Sequence, residues 1–304
     1  MTEKSSVSYM DSPAFRGYMP LGVEHTAGKL DVREQIEYAV ETPSTPGCSN
    51  QAWPPYERLR GVNPWPDSFQ PTLRESTMSY VAHAVRIATC IRQAVCLALG
   101  FQDTDAFNEL FQGRHEGDVP HWVLKLLSYP PTSIQKVEGD TESKFGVGSH
   151  TDTNFLTLAL QDNIGGLQVF TCGSWVDVTS HHGPSVLVCN IGEQAELLSN
   201  GYFLATPHRV LRNPSNTKER ISVPLFYNPP LTATIAPITL PPSLPWERER
   251  SDETQYWRTE NNAMLHTVGD NTFKSLARSH PVAFQRHHAD LEVLPDGQIF
   301  KKSY

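Results

Sequence analysis

The chain has 304 residues, 38% of them hydrophobic and 19% charged, so it is long enough to bury a substantial core and too apolar to be disordered. The formal net charge is −8 and the basic residues are dispersed, which excludes the electrostatic footprint of a nucleic-acid binder and leaves a small molecule as the expected partner. Five cysteines (Cys48, Cys90, Cys96, Cys172 and Cys189), odd in number and without a CxxC pair, exclude a disulfide framework and a thiolate zinc site. No apolar leader opens the chain and no run approaches the roughly 18 apolar residues of a membrane span, so a cytoplasmic protein without membrane contact is expected.

In chain order, residues 1–40 show no clean period, and 41–71 are rich in Pro, Gly and Ser, the composition of a loop. Beyond Pro71, the apolar positions Met78, Val81, Val85, Ala88, Ile91, Val95 and Leu99 recur at helical spacing, with Gly100 at the stop position. A shorter helix is expected from Asp103 or Thr104 to Gly113, burying Phe107, Leu110 and Phe111. After Val119, short β-rich runs follow at Trp122–Tyr129, Phe155–Leu160, Leu167–Phe170, Trp175–Val178, Val186–Ile191 and Ile221–Tyr227, a spacing that suggests a sandwich or barrel. One short helix, Glu193–Ser199, interrupts them, and Asn271–Arg278 is expected to form a closing helix. Three segments result: an N-terminal loop and helical segment (1–118), a β core (119–230) and a C-terminal extension (231–304).

The chemistry-bearing residues sit around the β runs. His150-Thr-Asp152 immediately precedes a strand, where an imidazole and a carboxylate at i and i+2 would share a face, and His208 lies 56 positions after Asp152. Two imidazoles and one carboxylate leave three adjacent positions open on a metal, which suits an iron(II) centre that must take a chelating co-substrate and dioxygen together. An H-x-D pair alone is a weak signal, because a satisfied surface pair looks the same. Arg220-Ile-Ser222 adds a guanidinium and a hydroxyl on one face of a strand, and Tyr129 adds a phenol, the groups a distal carboxylate would require. His181-His182 and His287-His288 read as solvated loops, Cys189 as a buried inert thiol, Arg209 as a structural ion-pair partner and 247–253 as an exposed charged face.

Taken in order, Lys125-Leu-Leu-Ser-Tyr-Pro-Pro131, His150-Thr-Asp152, Gly165-Gly-Leu-Gln-Val169, Trp175-Val-Asp-Val178, Asn190-Ile-Gly-Glu193, Ser199-Asn-Gly201, His208-Arg-Val210 and Arg220-Ile-Ser222 resemble the catalytic domain of the isopenicillin N synthase-like family of 2-oxoglutarate/Fe(II)-dependent dioxygenases. The resemblance implies an α+β protein built on a double-stranded β-helix, or jelly roll, with flanking helices. It implies His150, Asp152 and His208 as iron ligands, Arg220 and Ser222, helped by Tyr129, as the holders of 2-oxoglutarate, and Phe226 as a wall against the substrate. The implied reaction consumes dioxygen and 2-oxoglutarate, with ascorbate as reductant, and oxidises a small organic molecule, most simply by hydroxylation, in specialised metabolism. A ring-closing oxidase that needs no 2-oxoglutarate, and an inactive binding protein, stay open as alternatives. Two departures stand out. The I-D-L-like run and the Gly-Phe-Phe strand that usually open the family are missing, so the front is expected to be short by about one helix and two strands, and Leu127 replaces a common Asn.

Overall fold

The computed structural model describes residues 3–26, 29–42, 53–104, 107–131, 145–180, 186–212, 218–244 and 264–302. The strands are β1 (Gly17–Met19), β2 (His25–Thr26), β3 (Lys29–Leu30), β4 (Glu34–Ala39), β5 (His121–Tyr129), β6 (Phe145–His150), β7 (Leu156–Gln161), β8 (Leu167–Thr171), β9 (Ser174–Asp177), β10 (Val188–Ile191), β11 (His208–Leu211), β12 (Arg220–Asn228), β13 (Leu291–Val293) and β14 (Ile299–Lys301). The α-helices are α1 (Leu73–Ala98), α2 (Asn108–Gln112), α3 (Glu193–Leu198), α4 (Val268–Ser279) and α5 (Pro281–His287).

Two antiparallel sheets form the jelly roll: a major one in the order β1-β4-β5-β12-β7-β10 and a minor one in the order β6-β11-β8-β9. Register divides the major sheet by chemistry, because alternate residues point to opposite faces. Tyr38, Leu124, Leu225 and Leu158 are register neighbours on the outer face and are at most 1% exposed. α1 packs there through its buried Val81, Ala84, Ala88 and Val95, and Tyr80 donates its hydroxyl to the Val223 carbonyl at 3.1 Å. Each buried Val or Leu here contributes about 1.5–3 kcal/mol of hydrophobic stabilisation, and each Ala about 0.8. The inner face is polar and carries the row Gln35, Leu127, Ser222, Gln161 and the row Ala39, Val123, Phe226, Thr157, Asn190.

The structure departs from the sequence-based expectations at several points. Segment 1–118 is not only loop and helix, since its β1 and β4 extend the major sheet beyond β5. Those strands are short: β1 has three residues, and in β4 polar and apolar residues alternate only from Gln35 to Tyr38, too brief a run to stand out in the sequence. α1 is, by length and composition, long and apolar enough to cross a membrane, contrary to expectation, while one of its faces covers the sheet. His288 is not solvated: it is fully buried, its ring nitrogens facing the Pro13 carbonyl at 2.8 Å and Arg58 at 3.3 Å. Cys189 is exposed, because β10 is the edge of its sheet. Arg209 stacks its guanidinium 4.0 Å from the Trp175 ring and donates to Gln168; among the described residues it has no ion pair within 4.0 Å. Cys48, His181-His182 and residues 247–253 lie outside the described residues.

Candidate active site

β6 ends at His150, so Asp152 stands in the following loop and not at the i+2 position of a strand as expected. Three independent constraints aim the group. His150 and His208 are direct register partners on β6 and β11, which brings their rings to a centroid distance of 4.3 Å. The His150 Nδ1 lies 2.9 Å from the Gly148 carbonyl and the His208 Nδ1 lies 3.1 Å from the Thr206 carbonyl. A carbonyl only accepts, so each Nδ1 carries the proton and each Nε2 presents a lone pair.

Those two Nε2 atoms stand 3.8 and 3.7 Å from Oδ1 of Asp152, too far for a hydrogen bond and suited to a shared ion. The other carboxylate oxygen, Oδ2, accepts from the Thr157 hydroxyl at 2.6 Å and the Asn190 amide at 2.8 Å, so only Oδ1 is left for the centre. All three ligand atoms fall within 4.8 Å of one another. Burial, and after it the neighbouring His208, push the His150 imidazole down to about 4, so it is neutral near pH 7. Burial alone would raise the Asp152 carboxyl, but His208, His150 and the two hydrogen bonds outweigh it and hold the group below the usual carboxylate range.

The backbone around the ligands has little freedom. A Cβ on Gly192 would sit 2.1 Å from the Asn154 carbonyl oxygen, and the Glu193 N–H donates to the Asp152 carbonyl at 2.8 Å, so the turn into α3 is pressed against the ligand loop. Glu193 also accepts a 2.5 Å hydrogen bond from Thr151.

Arg220 and Tyr129 are register partners, the guanidinium lying 4.9 Å from the phenol ring. Arg220 is 5% exposed; its Nε donates to the Gly165 carbonyl at 2.7 Å and its Nη2 to Gln161 at 3.1 Å, while Nη1 is buried without a partner. Gln161 Nε2 is also buried and unpartnered, beside a buried Ser222 hydroxyl that has only a 3.5 Å contact to the Leu160 carbonyl. Two orphaned donors and a loosely held hydroxyl in one patch call for an anion. Phe226 lies half-buried on the same face, in the row that leads through Thr157 and Asn190 to Asp152.

Comparison with known proteins agrees with this geometry. The family model for the 2OG-Fe(II) oxygenase superfamily matches residues 120–229, and that for the non-haem dioxygenase in morphine synthesis N-terminal region matches residues 1–68. A homoarginine-6-hydroxylase of Glycine max is 33% identical over 239 residues, covering 78% of this chain and 67% of the relative. This chain belongs to the 2-oxoglutarate/Fe(II) oxygenase superfamily.

As a member, the oxygenase is of the non-haem Fe(II), 2-oxoglutarate-dependent dioxygenase class, with the jelly-roll fold of that group. A 2-oxoglutarate-dependent dioxygenase of Dothideomycetidae sp. (strain 11243) is 29% identical over 302 residues, 96% of this chain and 77% of the relative. Among solved structures, a full-length Neurospora crassa protein in complex with alpha-KG superposes with a TM-score of 0.64 at 25% identity, over 90% of this chain and 77% of that one. JOX2 in complex with 2OG, Fe and JA superposes with a TM-score of 0.59 at 27% identity, over 79% of this chain; the oxygenase spans 62% of JOX2's length. The family's Fe(II) and 2-oxoglutarate fit the residues present: a nitrogen and oxygen donor set with lone pairs converging, and an unpaired guanidinium nitrogen on the same inner surface. Gln161 and Thr157 join the site without a motif to mark them, their signal in the sequence being only that they alternate with apolar residues on β7; Asn190 opens the Asn190-Ile-Gly-Glu193 motif, but the sequence alone gives it no role.

Proposed function

We propose that this oxygenase hydroxylates a small organic molecule in specialised metabolism, with His150, Asp152 and His208 holding the iron and Arg220, Ser222 and Tyr129 holding 2-oxoglutarate. The observation that carries the reading is the convergence of two Nε2 lone pairs and one carboxylate oxygen on the same inner surface as an unpaired, buried guanidinium N–H. When bound, Fe(II) supplies the activation of dioxygen, coupled to conversion of 2-oxoglutarate to succinate and carbon dioxide, so that one oxygen atom enters succinate and the other the substrate.

The protein's part is to bind, orient and keep dry. Gly148 and Thr206 fix the tautomers, while Thr157 and Asn190 hold the Asp152 carboxylate so that one oxygen faces inward. Arg220 Nη1, Gln161 Nε2 and the Ser222 hydroxyl donate to the distal carboxylate of the diacid, where low polarity strengthens each charge-assisted bond. Phe226 supplies an apolar wall that fixes which substrate C–H faces the centre. A related homoarginine-6-hydroxylase makes homoarginine the first substrate to try.

The test is succinate formation by purified protein with iron(II), ascorbate, dioxygen and 2-oxoglutarate. Wild type is expected to release succinate slowly alone and faster with substrate, and His208→Ala to abolish release. Succinate release that persists undiminished in His208→Ala would overturn the assignment.

A further inference from the structure

A second arginine belongs to the inner side of the minor sheet, and the reaction described above leaves it unused. Arg212 follows β11 by one residue. Along β11 the side chains of His208 and Val210 turn inward, the first to the metal site and the second to a buried cluster with Leu127, Tyr129 and Val147. Alternation carries Arg212 to that same side. Register gives its position along the sheet. β11 pairs with β8 as Arg209 with Gln168 and Val210 with Leu167, and the Leu211 N–H donates to the Gly166 carbonyl at 2.8 Å, so Arg212 falls opposite Gly165. The Gly165 carbonyl is the one that accepts from Arg220 Nε at 2.7 Å. Tyr129 closes the gap from the major sheet: its ring lies 4.9 Å from the Arg220 guanidinium, and a Cβ on Gly146 of β6 would meet that ring at 2.7 Å and Val210 at 3.5 Å. The two sheets therefore converge at Arg220, Tyr129 and Val210, one step along the inner side from Arg212.

What sets Arg212 apart is its want of partners. Its Nε and Nη2 are buried and hydrogen-bonded to nothing, and it forms no ion pair among the described residues. Other arginines withdrawn from water are matched. Arg16 donates to the carbonyls of Val40, Leu59 and Gly61, Arg58 makes two hydrogen bonds to Asp290, and Arg33 meets Glu24 and Asp31. A guanidinium keeps its charge at physiological pH, and a buried donor left unmet is costly, the more so on a charged group. Nε and Nη2 together form one edge of the guanidinium, the edge that meets a carboxylate with two parallel hydrogen bonds. Arg220 Nη1 and Gln161 Nε2 are orphaned on the facing sheet. Both arginines thus hold buried donors toward one end of the space between the sheets, and a carboxylate, with about four lone-pair sites on two oxygens, has room for more donors than Arg220 and Gln161 supply.

We propose that Arg212 is a second anchor for the far carboxylate of 2-oxoglutarate, meeting it with the Nε and Nη2 edge while Arg220 Nη1 and Gln161 Nε2 bind the same group from the major sheet. The proposal rests on the oxygenase reading for the identity of the co-substrate. One carboxylate then ties the minor sheet to the major one through a guanidinium on each. Selectivity follows from the two charges. A 2-oxo acid that ends in an apolar group leaves both guanidiniums buried and unmet, so it is rejected more strongly than by a pocket with a single arginine.

The test is calorimetric titration, without dioxygen, of the iron(II)-loaded protein. The probes are 2-oxoglutarate and 2-oxopentanoate, which keeps the 2-oxo acid and the chain length and ends in a methyl group. Wild type is expected to bind the diacid more tightly. Arg212→Met should weaken 2-oxoglutarate by at least about tenfold and leave 2-oxopentanoate within about twofold, a split that damage to the fold would not give. Arg212→Lys keeps the charge without the two-donor edge and should fall between. If neither variant folds, wild-type crystals grown with 2-oxoglutarate read the same contact: Arg212 Nε or Nη2 is expected within about 3.2 Å of the far carboxylate, and an Arg212 turned away from it overturns the proposal. Equal loss of both acids in Arg212→Met marks a structural role and overturns it too. A diacid preference that survives Arg212→Met undiminished overturns the role of Arg212 alone and leaves the oxygenase reading standing on Arg220. A wild type that binds the two acids alike overturns the co-substrate assignment itself.

Discussion

The two faces of the major sheet come from the same strands and are built for opposite ends. On the outer face, Tyr38, Leu124, Leu225 and Leu158 stand in register and meet α1, and this side is stabilised by apolar area removed from water. On the inner face, at odd numbers of positions away along the same strands, stand Glu37, Lys125, Gln161, Arg220, Ser222 and Thr157, several of them buried with atoms unpartnered. The outer face therefore carries the stability that lets the inner face keep polar groups short of partners, as a binding site must. Damage to one face should show in stability and damage to the other in ligand affinity.

Leu225→Ala breaks the outer face. The side chain is fully buried against Leu124 and Leu158, so the substitution is expected to cost about 2–5 kcal/mol, read as a lowered denaturation midpoint, with iron(II) affinity per folded molecule unchanged. Asn190→Ala acts on the inner face alone. Loss of its 2.8 Å bond to Asp152 should weaken iron(II) binding by about 10- to 100-fold, measured by equilibrium dialysis without dioxygen, with little change in stability.

Acid should unfold the protein through imidazoles that belong to neither ligand set. Burial, then Arg16 and Arg60, lower His121 to about 3, and burial lowers His288 to about 4, against an ordinary value of 6.5. A depressed folded-state value means stability that is complete above the unfolded value and lost as pH falls towards the folded one. Stability should therefore drop below about pH 6.5, by up to about 1.4 kcal/mol per pH unit for each histidine, and His121→Gln should flatten the curve. Asp31, raised to about 6, works in the other sense: its contribution is complete below about 3.9 and lost as pH rises through 6, so it partly offsets the histidines in that window. The smallest expected effect is that of Gln161→Leu. It removes one donor and the anchor of Arg220 Nη2, and should raise the 2-oxoglutarate KM by about fivefold, near 1 kcal/mol, with kcat little changed.

The inner face is legible in the sequence where chemistry leaves a spaced pattern, and illegible where only packing does. His150, Asp152, His208, Arg220 and Ser222 stand out because ligand and anion-binding types recur in a fixed order, and α1 because its apolar positions repeat every three or four residues. β1 and β4 do not: β1 has three residues and β4 alternates polar and apolar residues only from Gln35 to Tyr38, too short a run to stand out from a loop. Spacing alone puts Asp152 on a strand, because it cannot show that β6 stops at His150. Thr157, Asn190 and Gln161 act through neighbours far away in sequence, and His288 is buried by Pro13 and Arg58 from the other end of the chain.

The central claim is that two imidazoles and one carboxylate bind a single ion beside a guanidinium that holds a diacid. Anomalous diffraction at the iron edge, from crystals grown without dioxygen in iron(II) and 2-oxoglutarate, tests it most directly. One iron peak is expected about 2 Å from His150 Nε2, His208 Nε2 and Asp152 Oδ1, with the diacid's far carboxylate on Arg220. A peak bound elsewhere, or a diacid turned away from Arg220, would contradict it.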